Sequence, residues 1–323
     1  MSTYSQIFGG KVNVVASDPS NPINGQVWYN STSKVVKYSE ASVTGTWATG
    51  GNLSTSRYSA GGAGTQTSGL CFGGQATVVS NATEEYDGTS WTAGGNLSTA
   101  RRYTSGCGTQ TVGLCASGLI SSGPTVLSSA TEEYDGTSWS SGGNVGTARS
   151  LLAACGLQTV AAIFGGSGPS AATEEYNGTS WTAGGNLGTA RSSLAGAGTQ
   201  TVAAAFGGKT TVSVANTEEY DGTAWTGGGT MNTARQTLGG CGTQTAALAF
   251  SGQTGNGTGL TAVAEEYNGT SWTNTGSLAT ARSYIAGCGT QTAGLAFNGN
   301  TAGTATEEYN PAGTLTTKTV TAT

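Results

Sequence analysis

One string of residues recurs six times along this chain, and the spacing within each recurrence is fixed. Glu-Glu-Tyr is followed five residues after the tyrosine by tryptophan in five repeats, and a sixth Glu-Glu-Tyr ends at Tyr309 without one. The repeat tryptophans are Trp47, Trp91, Trp139, Trp181, Trp225 and Trp272. Ten residues after each stands an arginine, at Arg57, Arg101, Arg149, Arg191, Arg235 and Arg282. A period of this length is typical of repeat architectures in which each unit packs on the next.

Length varies at only one place in the repeat. Each arginine precedes a glycine by 17 residues, at Gly74, Gly118, Gly166, Gly208, Gly252 and Gly299. The stretch from that glycine to the next Glu-Glu pair differs in length from repeat to repeat. These variable segments are Gln75–Ala82, Leu119–Ala130, Ser167–Ala172, Lys209–Asn216, Gln253–Ala264 and Asn300–Ala305.

Each repeat is predicted to form four short antiparallel strands. One follows the arginine, one runs into the Gly-Gly-like segment, one passes through Glu-Glu-Tyr, and one starts at tryptophan. Gly-Thr-Gln-Thr segments such as Gly64–Thr67 separate the first two strands, and Asp-Gly or Asn-Gly dipeptides such as Asp87-Gly88 separate the last two. Four strands per repeat, with small residues in the first strand and aromatic residues in the others, predict an all-β fold, a β-propeller.

The number of blades follows from where the repeats begin and end. The first repeat element is Trp47 and the last repeat stops after Tyr309. An N-terminal strand can therefore complete the last four-stranded blade, which closes a ring of six. In the alternative of seven blades, Val27–Tyr29, Lys34–Tyr38 and Thr314–Thr321 supply strands of an extra blade.

The strand-terminal Gly-Gly, then Tyr, Trp and Arg resemble the Kelch repeat over residues 47–310. Ala116-Ser117-Gly118, Ser251 and Asn298 depart from the pattern at the Gly-Gly position. The resemblance implies a Kelch-like propeller, a fold that serves binding proteins and some enzymes. The copper oxidases among Kelch relatives use histidine ligands, and this chain contains no histidine.

Composition excludes several classes of function. Without histidine, nucleophile systems that depend on a histidine base are excluded, as is the commonest metal ligand. We therefore predict no catalytic residue, no metal site and no cofactor. The net charge is −5 and no Lys/Arg cluster occurs, which argues against a nucleic-acid partner. No apolar run is long enough to span a bilayer and Met1–Gly10 lacks the features of a secretory signal, so neither membrane insertion nor export is expected.

Residues that occur in every repeat are predicted to be structural. Twelve of the 17 acidic residues are in the Glu-Glu pairs, and six of the seven arginines follow the tryptophans. We expect one glutamate of each pair to meet an arginine between blades and the other to face solvent. The glutamines of the Gly-Thr-Gln turns are expected to satisfy backbone groups between blades. The six cysteines alternate with alanine at equivalent positions, which favours buried free thiols over a disulfide such as one between Cys107 and Cys155.

The variable segments remain as the candidate binding surface. Each connects the second strand to the third, so all emerge on one face of the propeller, as binding loops on a rigid scaffold do. They hold one charged residue and are otherwise small, polar or aliphatic, which favours recognition of a glycan or a protein surface. The candidate ligand-binding residues are Thr77, Val78, Leu119, Ile120, Thr125, Val126, Lys209, Thr211, Asn256, Thr258 and Leu260.

A separate module is predicted before the repeats. Residues 1–40 form a Pro-bounded linker and a β-hairpin, residues 41–310 the propeller, and residues 311–323 a C-terminal strand or tail. Gly25–Asn30 reads Gly-Gln-Val-Trp-Tyr-Asn, which resembles a hairpin module of tail-fibre and other structural proteins of tailed bacteriophages. The Glu-Glu-Tyr-Asp-Gly-Thr-Ser-Trp repeats resemble Kelch-like proteins of marine phages.

The phage resemblance implies a virion component, made in the host cytoplasm and exposed on the particle. Its N-terminal hairpin would contact other virion proteins, and copies of the chain could associate with one another. The leading hypothesis is a non-enzymatic tail-fibre or appendage protein that binds a host-surface glycan or protein. The alternative is a scaffold or decoration protein that docks onto other virion proteins without recognising a ligand.

Overall fold

A computed structural model of the chain describes residues 12–20, 23, 25–41, 44–255, 257, 259–313 and 315–320. The regular elements of this part of the chain are all β-strands, so no described helix could cross a membrane. The described chain divides into two compact units. The larger spans Trp47–Asn310, and the smaller combines the residues up to Thr46 with those from Pro311 onward.

The smaller unit is a single four-stranded sheet. Its strands, in order across the sheet, are β1 (Asn13–Val15), β2 (Val27–Asn30), β3 (Val35–Ala41) and β30 (Leu315–Thr319). Strand β1 runs parallel to β2, whereas the other two pairings are antiparallel. The predicted hairpin therefore forms, and the C-terminal strand joins it in the same sheet.

Asp18 organises the polar residues of this sheet. Its Oδ1 accepts hydrogen bonds from Trp28 Nε1 at 3.1 Å and Asn30 Nδ2 at 2.7 Å, and its Oδ2 lies 2.6 Å from Lys37 Nζ. The hydrogen bonds from Lys37, Asn30 and Trp28 lower the pKa of Asp18 to about 2. The carboxylate therefore stays charged at neutral pH and fixes the indole of the fully buried Trp28.

The larger unit consists of six four-stranded antiparallel sheets, the blades. We number the blades 1 to 6 in chain order. The N-terminal strand β4 (Thr46–Thr49) is the exception to this order, because it completes the last blade. Blade 1 comprises β5 (Gly61–Thr65), β6 (Ser68–Phe72), β7 (Thr83–Tyr86) and β8 (Trp91–Ala93). Blade 2 comprises β9 (Ser105–Gly108), β10 (Gly113–Ala116), β11 (Thr131–Tyr134) and β12 (Trp139–Ser141). Blade 3 comprises β13 (Ala153–Leu157), β14 (Val160–Phe164), β15 (Thr173–Tyr176) and β16 (Trp181–Ala183).

The other blades repeat this order. Blade 4 comprises β17 (Ala195–Gly198), β18 (Ala203–Phe206), β19 (Thr217–Tyr220) and β20 (Trp225–Gly227). Blade 5 comprises β21 (Gly239–Thr243), β22 (Ala246–Phe250), β25 (Ala264–Tyr267) and β26 (Trp272–Thr275), with the two-residue strands β23 (Gln253–Thr254) and β24 (Gly259–Leu260) in its long loop. Blade 6 comprises β27 (Ala286–Thr290), β28 (Ala293–Phe297), β29 (Thr306–Asn310) and β4. The predicted all-β propeller with four-stranded blades is confirmed.

Six blades form the ring, and the extra sheet is not a seventh. The first strands of blades 6 and 1, β27 and β5, pack directly against each other. The alternative required β2, β3 and a C-terminal strand to enter the ring between them. Strands β2, β3 and β30 do pair with one another, but in the sheet of the smaller unit. The fourth strand of that sheet, β1, runs parallel to β2. An up-and-down blade contains antiparallel pairs only.

Small residues in the first strand let the blades approach the axis closely. A Cβ added to Gly106 would lie 2.2 Å from Cζ of Phe72, which belongs to the preceding blade. Cys107, Cys155, Cys241 and Cys288 lie in the same strands, and all six cysteines of the chain are buried and free. Burial raises the pKa of Cys107 and Cys241 to about 12, so these thiols stay protonated. The prediction of buried free thiols is confirmed.

Aromatic residues fill the space between blades. Trp139 packs on Tyr134 of its own blade and on Phe72 of the preceding one, with ring centroids 4.9 Å away in both cases. Its Nε1 donates to Thr83 Oγ1 of that preceding blade at 3.0 Å. Trp47 follows the same scheme, but Ala264 stands where the threonine would be, so its Nε1 donates to the carbonyl of Gly276 instead.

Each glutamine of the first turn joins its blade to the preceding one. Gln158 Nε2 donates to the carbonyls of Gly113 at 3.0 Å and Tyr134 at 2.7 Å. The same two bonds recur at all six interfaces, through Gln66, Gln110, Gln158, Gln200, Gln244 and Gln291. The predicted role of these glutamines between blades is confirmed.

The two glutamates of each pair serve two different interfaces. The first is buried and forms an ion pair with the arginine of the preceding connection, as Glu174 does with Arg149 at 2.8 Å. The second was expected to face solvent; it is half-exposed, but its carboxylate also forms a contact between blades that was not predicted. Glu133 accepts a hydrogen bond from the hydroxyl of Tyr176 in the next blade at 2.6 Å, and equivalent bonds recur around the ring. Alternate strand residues point to opposite faces, but in a propeller a neighbouring blade covers each face.

Candidate functional site

The variable loops emerge at the end of the propeller where the first strands begin, which we call the loop face. Each connects the second strand of a blade to the third. At its base the loop pairs with the residue that follows the repeat arginine. These backbone pairs include Tyr58 with Gln75, Arg102 with Leu119, Ser192 with Lys209, and Gln236 with Gln253. Inter-blade connections and variable loops therefore form one surface.

Most of the predicted binding residues are exposed on this face. Those with exposed side chains are Thr77, Val78, Ile120, Thr125, Val126, Thr211 and Leu260. Lys209 is half-buried. Leu119 is only 7% exposed, and its backbone pairs with both Arg102 and Leu127 at the base of the loop. It supports the loop and is not available as a contact residue. Asn256 and Thr258 lie outside the described residues.

Neighbouring loops are connected by hydrogen bonds. The amide of Val79 in the loop of blade 1 donates to Ser122 Oγ in blade 2 at 3.2 Å. Ser213 Oγ in blade 4 donates to the carbonyl of Gly255 in blade 5 at 2.6 Å. The structure therefore brings the exposed residues of blades 1 and 2 together, and those of blades 4 and 5.

A closed circle of backbone hydrogen bonds surrounds the axis at the centre of the loop face. Each participating residue stands two positions after a repeat arginine, and its amide donates to the carbonyl of its counterpart in the preceding blade. The six bonds are 2.7 to 3.0 Å long. The residues are Ser59, Tyr103, Leu151, Ser193, Thr237 and Tyr284. The bond from Ser59 to Tyr284 joins blade 1 to blade 6, so the circle closes at six.

These six residues share a conformation that normally favours glycine. Their φ angles lie between 52° and 59°, in the left-handed region, yet none of the six is glycine in a chain that contains 55. A side chain in this region is strained by about 1–2 kcal/mol. Strained residues of this kind concentrate at functional sites, where the side chain is needed. We call the opening that they surround the mouth.

The mouth breaks the sixfold repetition of the propeller. Tyr58, Tyr103 and Tyr284 lie on consecutive blades 1, 2 and 6 and form an aromatic arc on one side. The ring centroid of Tyr284 is 6.1 Å from that of Tyr58 and 5.5 Å from that of Tyr103. Burial, with smaller contributions from the other two tyrosines, raises the pKa of Tyr284. The opposite side carries Leu151, Ser193 and Thr237 instead, so the mouth has one aromatic and one non-aromatic half.

Arg102 extends the aromatic arc. It is the one arginine outside the set of six that pair with glutamate. Its Cζ lies 5.0 Å from the centroid of the Tyr103 ring, a cation–π arrangement. Its Nη1 donates to Gln75 Oε1 of blade 1. The guanidinium is thereby held in one orientation beside the mouth.

Several buried polar atoms lack a hydrogen-bond partner, and three of them belong to residues next to the arc tyrosines. Among the described residues these atoms are six arginine Nε atoms and two serine hydroxyls. Five of the arginine atoms belong to the buried ion pairs. The other three atoms are Arg102 Nε, Ser59 Oγ and Ser283 Oγ, and each residue is adjacent in sequence to a tyrosine of the arc. Buried polar groups are usually satisfied, so such a cluster indicates a place for water or a ligand.

A channel runs inward from the mouth. The mouth has a volume of about 80 Å³, and two further cavities of about 120 Å³ each follow along the first strands of all six blades. All residues that line the mouth are uncharged. Deeper walls are made of glycine, alanine and cysteine, such as Gly106 and Cys107. Side-chain chemistry for recognition is therefore concentrated at the mouth and the loops.

The opposite end, which we call the turn face, is more regular but not uniform. The loops between third and fourth strands have four residues, and in each the Asp or Asn side chain accepts two backbone amides, as Asp87 does from Thr89 and Ser90. The Asp-Gly and Asn-Gly dipeptides do separate the last two strands, but only the glycine, such as Gly88, has positive φ. On blades 2 to 4 the first hairpins expose aliphatic side chains. These are Val112, Leu157, Val160 and Val202.

No protein-family model matches the chain, and no curated protein matches it. In the described part of the chain, no group of three or more His, Cys, Asp or Glu side chains is placed to hold a metal ion.

The residues of the mouth were not among the predicted site residues. The segment after each repeat arginine has constant length, so loop length does not point to it. Its composition does vary, from Tyr58-Ser59 through Arg102-Tyr103 and Ser150-Leu151 to Ser283-Tyr284. An alignment of the repeats on their arginines displays this variation, but the contact between the three tyrosines requires the closed ring.

Proposed function

We propose that this chain is a non-enzymatic virion protein of a tailed bacteriophage, a Kelch-like propeller on a tail fibre or other appendage. Its loop face would bind a glycan or protein on the host surface. The observation that carries the proposal is the concentration of variation on that face. Loop length, exposed side chains and the contents of the mouth all differ between blades there. The interfaces between blades, in contrast, repeat the same glutamine, arginine–glutamate and tyrosine–glutamate contacts six times.

The chemistry of the loop face supports binding rather than catalysis. Its exposed side chains are mainly hydroxyl and aliphatic, such as Thr77, Val78 and Thr125. The repeated carboxylates and arginines have structural partners between or within blades, as in the pair of Glu265 and Arg235. Surfaces of this mixed, weakly charged kind are suited to neutral polar ligands.

The virion location is supported by the smaller unit. Its hairpin carries Gly25–Asn30, the segment that resembles the hairpin module of phage structural proteins. The sheet is compact in itself, with Trp28 buried and held by Asp18. We propose that this sheet contacts other virion proteins.

Exchange of loops tests the proposal. Leu119–Ala130 and Gln253–Ala264 are each replaced by the short Ser167–Ala172 loop, and adsorption to host cells and binding to a glycan array are measured. We expect both to be abolished. The matched control changes Asn177→Asp and Asn268→Asp on the turn face, where other blades carry aspartate at the same position. Unchanged adsorption by the loop variant, with the fold intact, would contradict the proposal.

A second candidate is a scaffold or decoration protein, and the turn face favours it. Leu157 is 58% exposed, and Val112, Val160 and Val202 are 45–48% exposed on adjacent hairpins. Such an apolar arc could be covered by another virion protein. Electron microscopy of the assembled particle distinguishes the two functions. A turn face packed on the virion with a free loop face supports both roles together, whereas a covered loop face supports the scaffold role alone.

A further inference from the structure

We infer that the mouth of the loop face is a saccharide subsite, in which Tyr58, Tyr103, Tyr284 and Arg102 bind one pyranose ring of a neutral glycan. This inference rests on the proposed function, because it assigns the ligand class and the contact residues of the same face. The proposed function assigns binding to the loop face as a whole, and this inference adds one defined site at its centre.

The aromatic arc provides a surface for the apolar face of a sugar. Tyr103 and Tyr284 are half-exposed and line the mouth, and Tyr58 extends the surface beyond Tyr284. The rings of Tyr58 and Tyr103 are each tilted by 55° to that of Tyr284, so the three rings do not form a stack and each can present its face or edge to a ligand. Tyrosine combines a flat apolar ring with a hydroxyl, and this suits a ligand that has C–H groups on its faces and hydroxyls at its edge.

Polar atoms without partners are in place to bind hydroxyls. Ser59 lines the mouth, is 6% exposed, and has no hydrogen-bond partner for its Oγ. Arg102 Nε is also buried without a partner. A serine hydroxyl both donates and accepts, whereas the guanidinium only donates. A sugar hydroxyl can accept a hydrogen bond from the Arg102 guanidinium and can donate one to Ser59 Oγ. The two groups therefore match the hydroxyls of a sugar.

The charge of the mouth favours a neutral ligand. All its lining residues are uncharged, and the adjacent Arg102 is already engaged with Gln75 and the face of Tyr103. The mouth is also small, about 80 Å³, and continues into a channel whose walls are largely glycine and alanine. It can therefore admit the edge of one sugar ring, while the rest of a glycan would lie across the loops.

The strain of the mouth fits this role. Ser59, Tyr103 and Tyr284 all have left-handed backbone conformations that glycine would adopt without strain. Glycine is abundant in the chain, so the retention of side chains here is explained if they contact a ligand. The circle of hydrogen bonds holds these residues in place before the ligand arrives, which lowers the entropy lost on binding.

The test uses the full chain and a panel of methyl glycosides of neutral hexoses and N-acetylhexosamines. Binding is measured by saturation-transfer NMR and by titration of the tyrosine ring resonances. We expect at least one glycoside to bind and to shift the resonances of Tyr103 and Tyr284. Tyr58→Ala, which lies outside the strained circle, and Tyr284→Ala should each weaken binding about tenfold. Tyr284→Phe should stay within about twofold, because it keeps the ring.

Arg102→Met should also weaken binding about tenfold, since the charged donor with the unpartnered Nε is lost. The matched control is Ser192→Ala, at the position equivalent to Arg102 on the non-aromatic side, and it should leave binding unchanged. Thermal unfolding of each variant checks that the fold is retained.

Several outcomes overturn the inference. One is that no glycoside in the panel binds, and another is that folded alanine variants bind as the unmodified chain does. A third is a strict requirement for a carboxylated sugar, tested with methyl glycosides of uronic and sialic acids, because this contradicts a neutral ligand. If loop exchange abolishes host adsorption while the tyrosine variants adsorb normally, the loop face binds a protein or a glycan elsewhere. In that case the proposed function stands and the saccharide subsite does not.

Discussion

Every blade buries one arginine against the first glutamate of its Glu-Glu pair. Arg235 and Glu265 are both fully buried, with Nη2 and Oε1 3.0 Å apart. Burial lowers the pKa of Arg235 to about 10, although Glu265 opposes the shift, so the guanidinium remains charged at neutral pH. Glu265 Oε2 also accepts the amide of Asn232 at 2.7 Å. The pair therefore holds the connection between blades in place as well as balancing two charges.

Removing one partner of this pair should be more harmful than removing both. We expect Arg235→Met to destabilise the fold by about 3–5 kcal/mol, because it leaves Glu265 as a buried, unbalanced charge. The double variant R235M/E265L should recover part of that loss. Equilibrium unfolding in guanidinium chloride measures both free energies. A double variant less stable than R235M would contradict this account.

At the scale of the element, blades are joined by turns that reach backward. The first hairpin of each blade places its glutamine on two carbonyls of the preceding blade, and Gln158 is an example. The Gln158 side chain thus donates hydrogen bonds both to a carbonyl of the second strand, at Gly113, and to the carbonyl of the repeat tyrosine, Tyr134. The backbone of the glutamine belongs to the turn, whereas its side chain belongs to the interface.

Gln158→Ala should lower the free energy of unfolding by about 1–3 kcal/mol, because two partly buried carbonyls lose their donor. Gln158→Glu should be worse, since it places a carboxylate against the same two carbonyls. Thr159→Ala, at the exposed neighbouring position, serves as the control and should change stability little. Denaturant unfolding followed by tryptophan fluorescence measures all three. Equal stabilities for the Ala and Glu variants would argue against the proposed donor role.

At the scale of the molecule, the ring contains six hydrogen bonds from tyrosine to glutamate between blades. Burial, and then the hydrogen bond to a glutamate, raise the pKa of Tyr86, Tyr134 and Tyr220 to about 12. Unfolded tyrosine has a pKa of about 10. A raised pKa means that the folded state prefers the neutral phenol, so this stabilisation is complete below pH 10 and is lost as the pH rises toward 12.

The propeller should therefore lose stability steeply between pH 10 and pH 12. Denaturant unfolding at a series of pH values measures the loss, and ultraviolet absorbance of tyrosinate follows the ionisation. The Tyr220→Phe variant should be less stable than the unmodified chain at neutral pH. Its free energy of unfolding should fall less between pH 10 and pH 12, because one ionisable phenol has been removed. A free energy of unfolding that stays constant between pH 10 and pH 12 would show that ionisation of these tyrosines does not change the stability of the propeller.

Closure of the ring predicts the effect of truncation. Strand β4 completes blade 6, and the Trp47 ring packs on Phe250 and Tyr309 at 5.2 and 5.1 Å. A chain of residues 44–310 should unfold within a few degrees of the full chain. A chain of residues 52–310 should be less stable by at least about 3–5 kcal/mol, since a large buried aromatic residue and a strand are lost. Similar thermal midpoints for the two truncations would argue against closure by β4.

The sequence by itself determined the blade, the number of repeats and the face that carries variable loops. The residues that specify a blade are close in sequence, and repetition separates architectural positions from variable ones. For the same reason the roles of the glutamines and cysteines could be predicted, although Leu119 was assigned to the binding surface and is buried.

Only the tertiary structure decided what ring closure brings together. Tyr58 and Tyr284 are distant in sequence and meet because blade 6 packs on blade 1. Glu133 meets Tyr176 because a propeller covers both faces of every sheet. The left-handed circle at the mouth likewise depends on six blades that each offer a carbonyl to an amide of the next blade. Contacts within a blade follow from local sequence, whereas contacts around the axis depend on how many blades close the ring.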